Sequence, residues 1–266
     1  DQWRDRFHAN LNEDSRRLAD SSKSLVEYFA AGQGPDDAAS SPQDEVDAFL
    51  TENAWFFPDL EAGQADAEAL ITGAAALRSE AARELARTVL HQMAADAAQV
   101  SIPVLEGALE ETGPDPVRLA TLLGAPAALI MRRMASLQQL QSGLVVCDRA
   151  GSILFRKPMS QFVIPRVAPA CVFWPLFEAL GQPGQVIRTP IVQLGRSRAA
   201  FDCFAVSEIT GVPEYNRPPL LHASMLILPS AEPEPEGVTE VGSTCRVCPR
   251  SGCQGRRENS ILRDGL

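Results

Sequence analysis

Apolar residues return at helical intervals through the first half of the chain and at strand intervals through the second, and the period changes at Gly143. Trp3, Phe7, Leu11, Leu18, Leu25 and Phe29 recur at steps of four and seven among charged and small polar residues. This spacing predicts one amphipathic helix over residues 1–31 with a narrow apolar stripe. A stripe this narrow either packs on its own domain or pairs with the same helix of a second copy, which makes a homodimer one of its two readings. His8 is then a solvated residue. Gly32, Gly34, Pro35, Ser40 and Pro42 mark a linker. A helical domain follows over residues 45–142. Ser41 caps its start, Pro42 sits in the first turn, and Asp44 and Glu45 face the positive helix end. Phe49, Leu50, Trp55, Phe56 and Phe57 supply bulk, and the Ala-rich run from Ala65 to Val100 supplies long, closely packing helices. Val117 to Leu123 and Ala127 to Leu137 form a short helix pair joined by Gly124-Ala125-Pro126.

From Gly143 the texture is that of strands. Leu144 to Cys147 and Ser152 to Lys157, with Asp148-Arg149-Ala150-Gly151 between them, predict a hairpin. Cys171 to Leu180 reads as a short helix with aromatic faces. Gln185 to Leu194, Ala199 to Ile209 and Leu220 to Leu228 are further apolar segments between Gly and Pro breaks. The expected fold class is α+β: an N-terminal all-helical part, then a GAF/PAS-like antiparallel sheet domain over residues 143–231, then a short cysteine-rich metal-binding tail. Residues 232–266 open on a Glu and Pro alternation that predicts an extended spacer, and this leads into the cysteines.

At 266 residues and 45% hydrophobic content the chain can bury a sizeable core. It carries no apolar run long enough to span a bilayer, so a cytoplasmic protein is expected. Its formal net charge of -10 argues against the body of the chain gripping nucleic acid, which needs a basic face. The 117–137 helix pair offers only Arg132 and Arg133 in acidic surroundings, and is read as structural rather than DNA-reading. His91 lacks a second His at position 95 and a Glu at 92, so its helix is not that of a zinc peptidase. Three scattered histidines without a motif argue against an enzyme.

Three of the six cysteines, Cys245, Cys248 and Cys253, fall in a C-x2-C-x4-C spacing that lets three thiolates converge on one small inorganic centre. Zinc and cubane clusters usually take four ligands. Cys147 and Cys203 lie in strand patterns that bury them. Cys171 sits in a loop before a helix, where amides can stabilise a thiolate, and is the favoured fourth ligand, with His222 as the alternative. Arg246, Arg250, Arg256 and Arg257 offset thiolate charge or form a solvated basic tail. Four thiolates suit a 4Fe-4S cluster or zinc, and the spacing leaves the choice between them open.

Phe155-Arg156-Lys157, Pro165-Arg166, Ala170-Cys171-Val172-Phe173-Trp174-Pro175-Leu176-Phe177 and Val241 through Cys253 with Arg256 resemble the C-terminal sensor region of the short-chain fatty acyl transcriptional regulators. The likeness is specific over Gly143 to Leu262. It is looser over Val46 to Leu140, which is similar in position to a degenerate metallopeptidase-like domain. The resemblance implies a non-enzymatic regulator that contacts DNA through an upstream XRE-type helix-turn-helix domain and senses short-chain acyl-CoA. It also implies Cys171, Cys245, Cys248 and Cys253 as ligands of an iron-sulfur cluster or zinc. For the acyl-CoA, Arg156, Lys157 and Arg166 are candidate phosphate anchors, and Trp174 and Phe177 a candidate apolar wall. Ala223-Ser224-Met225-Leu226-Ile227 departs from the Gly-rich, Cys-containing strand often found in the family. The reading from another class is an iron-sulfur electron-transfer or cluster-bearing enzyme module.

Overall fold

The computed structural model describes residues 41–166, 169–195, 199–211, 214–232 and 237–262. The expected 1–31 helix with its dimer seam, His8, the linker up to residue 40 and the Glu and Pro alternation at 233–236 lie outside the described residues.

Seven helices come first: α1 (Pro42–Glu52), α2 (Pro58–Glu61), α3 (Ala67–Thr72), α4 (Glu80–Gln99), α5 (Ile102–Thr112), α6 (Pro116–Leu123) and α7 (Ala127–Ser136). Short polar side chains start several of them by occupying amides that a helix leaves free. Asp66 accepts from the Ala69 amide at 2.9 Å, Ser79 from Ala82 at 3.2 Å, and Asp115 from Val117 at 2.9 Å. Gly124, at φ 60°, ends α6 in the left-handed conformation that glycine adopts without penalty, which lets α7 turn back within three residues.

The remaining strands form one six-stranded sheet: β1 (Gly143–Asp148), β2 (Ile153–Lys157), β3 (Ile187–Leu194), β4 (Ala199–Thr210), β5 (Leu220–Pro229) and β6 (Thr239–Gly242), in the order β2-β1-β5-β4-β3-β6. Helix α8 (Pro175–Ala179) lies between β2 and β3 in sequence. It begins four residues later than the apolar run suggests, because Pro175 is suited to the first helical position and leaves Cys171 in the preceding turn.

The sheet is antiparallel as expected except at one edge. β6 pairs parallel to β3, with Ile191 opposite Thr239 and Leu194 opposite Gly242, so the sheet is mixed. The residues expected to be only spacer and tail therefore contribute a strand. The physical reason is that the chain leaves β5 at the middle of the sheet and must cross to the far edge, so it arrives running in the direction of β3.

Alternation along the strands divides the core into two faces. Leu144, Phe204, Val206, Leu226 and Leu228 join the core of α5, α6 and α7. Their neighbours Val145, Cys147, Cys203, Ala205, Met225 and Ile227 pack on the opposite face with Cys171, Trp174, Leu176 and Val241. A third cluster, from Val46 to Leu90, holds α1 to α4 together and reaches β2 through Phe155. Helices, sheet and the α8 layer belong to one compact unit that begins at Pro42.

Candidate functional site

The second face of the sheet carries the cysteine region. β6 delivers Gly242 and Ser243 to the turn before α8. The Trp174 indole donates to the Gly242 carbonyl at 2.9 Å and the Cys171 amide to the Ser243 carbonyl at 3.0 Å. The Arg257 guanidinium donates to the Ala170 carbonyl. Cys245–Val247 form a single 3-10 turn, and the Arg257 amide lies 3.5 Å from the Cys245 sulfur. Cys171, Cys245 and Cys248 are all free and buried. Two glycines permit the fit. A Cβ on Gly242 would stand 2.9 Å from the Cys248 sulfur, and one on Gly255 2.6 Å from a Val172 methyl.

Burial pushes the Cys171 thiol up. The Phe173 and Gly242 amides that donate to it oppose this, and the neighbouring Cys248 and Cys245 sulfurs add to it. Three of the four predicted cysteine ligands therefore share one buried neighbourhood across some seventy residues of sequence. Cys253 is half-buried in the same tail. The sulfurs are not closed around a point: among the described residues no three His, Cys, Asp or Glu are gathered tightly enough to hold a metal ion.

Arg256 fastens the turn. Its terminal nitrogens donate to the carbonyls of Cys245 at 3.2 Å and Cys248 at 3.4 Å, and to that of Arg250. Among the described residues its Nε is the one buried side-chain polar atom without a hydrogen-bond partner. Buried thiols, amides directed at sulfur and an unsatisfied buried cationic donor form a set suited to an anionic thiolate-held centre. Cys147 and Cys203 differ. Burial pushes Cys147 up to about 12 and Cys203 higher still, so both remain protonated core residues.

The first face of the sheet forms a partly open cavity of about 200 Å³ against α4 and α7. Val89, Met93, Leu144, Val146, Leu154 and Phe155 give it an apolar lining, and Asp96, Arg132, Lys157, Glu208, His222 and Ser224 bring polar groups to it. Arg132 clamps the almost wholly buried Asp96 through two bonds of 2.7 and 3.0 Å and reaches Glu208 at 3.1 Å, which links α4, α7 and β4. Lys157 donates to the Ala135 carbonyl and, at 3.4 Å, to the Ser142 hydroxyl. Burial lowers its ammonium to about 8.

Of the five residues expected around an acyl-CoA, Lys157 alone lines this cavity. Arg156 is buried and bonded to Asp47 at 2.6 Å and Asp44 at 3.3 Å, and the exposed Arg166 is 3.7 Å from Asp44, so both tie the sheet domain to α1. Trp174 is fully buried in the opposite core, 5.1 Å from the Phe162 ring, and Phe177 covers Gly151. His222 faces the cavity. The charged cluster of Asp96, Arg132 and Glu208 was not expected. Its signal in the sequence is the placement of Glu208, His222 and Ser224 at alternate positions of otherwise apolar strands.

Among the described residues no helix is long and apolar enough to cross a membrane. No family model matches the chain. It is 26% identical over 192 residues, 66% of its own length and 41% of the relative's, to the propionyl-CoA carboxylase regulator of Cereibacter sphaeroides. It is 27% identical over 210 residues, 73% of its length and 43% of the relative's, to the HTH-type transcriptional regulator PrpR of Mycobacterium tuberculosis. The chain thus spans about two fifths of the length of these curated relatives. A solved structure of a Mycobacterium tuberculosis transcriptional regulator superposes with a TM-score of 0.65, covering 83% of this chain and 95% of that one at 17% identity, so the two share a fold. Both curated relatives are named as regulators, one of them an HTH-type transcriptional regulator, and the α+β unit that carries the cysteines and the cavity shares its fold with a solved transcriptional regulator.

Proposed function

We propose that this chain is the non-enzymatic sensor region of a bacterial transcriptional regulator. It is built on a GAF/PAS-like sheet domain and works in the cytoplasm as a homodimer, with DNA contacted by an upstream XRE-type domain. The likeness to two regulators supports the regulatory role. The five-stranded antiparallel portion of the sheet with its embedded α8 supports the domain type.

One observation carries the chemistry. Cys171, Cys245 and Cys248 are buried, free and mutually close where the tail docks on the sheet. With Cys253 they would hold a 4Fe-4S cluster, which would supply a link between tail and sheet that oxidant or iron shortage can break. The chain's own part is to keep water from three sulfurs, to direct the Phe173 and Gly242 amides at Cys171, and to hold the turn through Arg256.

The cavity on the other face is the place for an effector. The cavity, about 200 Å³ and partly open, would admit the acyl end of a short acyl-CoA. The name of one relative, a propionyl-CoA carboxylase regulator, points to the same class of molecule.

Anaerobic purification with absorption spectroscopy and iron, sulfide and zinc analysis tests the centre. Iron, sulfide and a visible band are expected. Cys171→Ser should abolish them as completely as Cys248→Ser, while Cys147→Ser and Cys203→Ser leave them in place. Stoichiometric zinc without a visible band overturns the cluster. Calorimetric titration with propionyl-CoA and with free propionate tests the effector, with binding expected for the thioester.

A further inference from the structure

We infer that the Arg256 Nε–H is a hydrogen-bond donor to a sulfur of the cysteine-held centre, and that this single bond sets the electron affinity of the centre. The inference rests on the cluster reading above.

Four arginines surround the cysteine turn, and the structure gives them different tasks. Arg246 is exposed. Arg250 donates to the Glu240 carbonyl at 3.0 Å and lies over the Phe173 ring, 5.6 Å from its centroid. The Arg257 guanidinium is engaged by the Ala170 carbonyl. Arg256 reaches inward and uses its two terminal nitrogens on the carbonyls of Cys245, Cys248 and Arg250. Those bonds fix the guanidinium plane against the residues that present two of the sulfurs. Its Nε is left buried and without an acceptor, the one such side-chain atom among the described residues.

A buried cationic donor without an acceptor is costly, and folded proteins rarely retain one. The carbonyls nearby are already used by the same side chain. No thiol is a hydrogen-bond partner of Nε either, so the acceptor would be a sulfide held by the thiolates, beside the turn where the Arg257 amide approaches the Cys245 sulfur at 3.5 Å. An anionic thiolate or sulfide is the acceptor that a partly charged N–H favours. Hydrogen bonds to cluster sulfurs stabilise the more electron-rich state and so raise the reduction potential.

The test compares wild type, Arg256→Lys and Arg246→Gln as anaerobically purified chains. Arg256→Lys keeps the charge but has no Nε–H, whereas Arg246→Gln removes a charge from the same turn and leaves the donor. Redox titration should show the reduced-to-oxidised ratio of Arg256→Lys at fixed poise lower by about tenfold, a shift of about 59 mV for a one-electron couple, at unchanged iron content. Arg246→Gln should leave it in place. Equal shifts in both variants, or none in Arg256→Lys, overturn the donor role. Should Arg256→Lys lose its cluster, wild type decides: grown with arginine carrying 15N only at Nε, its reduced cluster should show a 15N hyperfine coupling by pulsed electron paramagnetic resonance. Absence of that coupling overturns the inference. A wild type without iron, sulfide or a visible band overturns the cluster reading itself.

Discussion

Lys157 shows how one side chain can be structurally costly where it is useful. Burial lowers its ammonium from 10.5 to about 8. Between those values the unfolded chain holds a proton that the folded chain lacks. Stability therefore rises with pH across that window, and the penalty for burying the charge is present in full at pH 7. Lys157→Met keeps the length of the side chain and removes the charge. It should unfold at higher urea than wild type at pH 7 and lose the extra rise that wild type shows between pH 8 and 10.5. Parallel stability curves for the two proteins would show that the ammonium is not desolvated. A half-buried lysine retained on a cavity wall suits recognition of an anionic or carbonyl group, and Arg156, one residue away, is used on Asp47 and Asp44.

Most elements were legible before the structure. The period change at Gly143, the β1–β2 hairpin, the α6–α7 pair around Gly124 and the convergence of Cys171 on the tail all follow from local pattern and ligand chemistry. β6 did not, because Thr239–Gly242 is four residues long, follows a Pro-rich segment and alternates too briefly to register. The cavity was missed for a different reason. Its lining comes from α4, α7 and four strands, and no local period encodes which polar residues meet across layers. Trp174 illustrates the same limit, since an aromatic beside a helix start suits a ligand wall or a core until the sheet shows which side it faces. The short β6 nonetheless positions the cysteines, and this gives a sharp test. Gly242→Ala would put a methyl 2.9 Å from the Cys248 sulfur. The strand would have to shift, and iron per chain should fall at least severalfold while the melting temperature of the apo protein changes little.

The sheet stands between the cysteine region and the cavity, with residues of β4 turned to opposite sides: Phe204 and Glu208 toward the helices, Cys203 and Ala205 toward the tail. A chain ended at Ser230 should keep the helical layer but uncover Trp174, which loses the Gly242 carbonyl. Red-shifted tryptophan emission with little loss of helical circular dichroism is expected, and an unshifted spectrum would mean that the tail does not cover the indole. The parallel pairing of β6 with β3 also imposes a timetable during synthesis. Cys171 leaves the ribosome roughly seventy residues before Ser243, an interval of roughly 4 to 14 s at bacterial and eukaryotic elongation rates. Until then its thiol has neither its roof nor the Gly242 amide, so newly made chains pass through an interval in which the sulfur is open to oxidants and stray metal that the finished fold excludes.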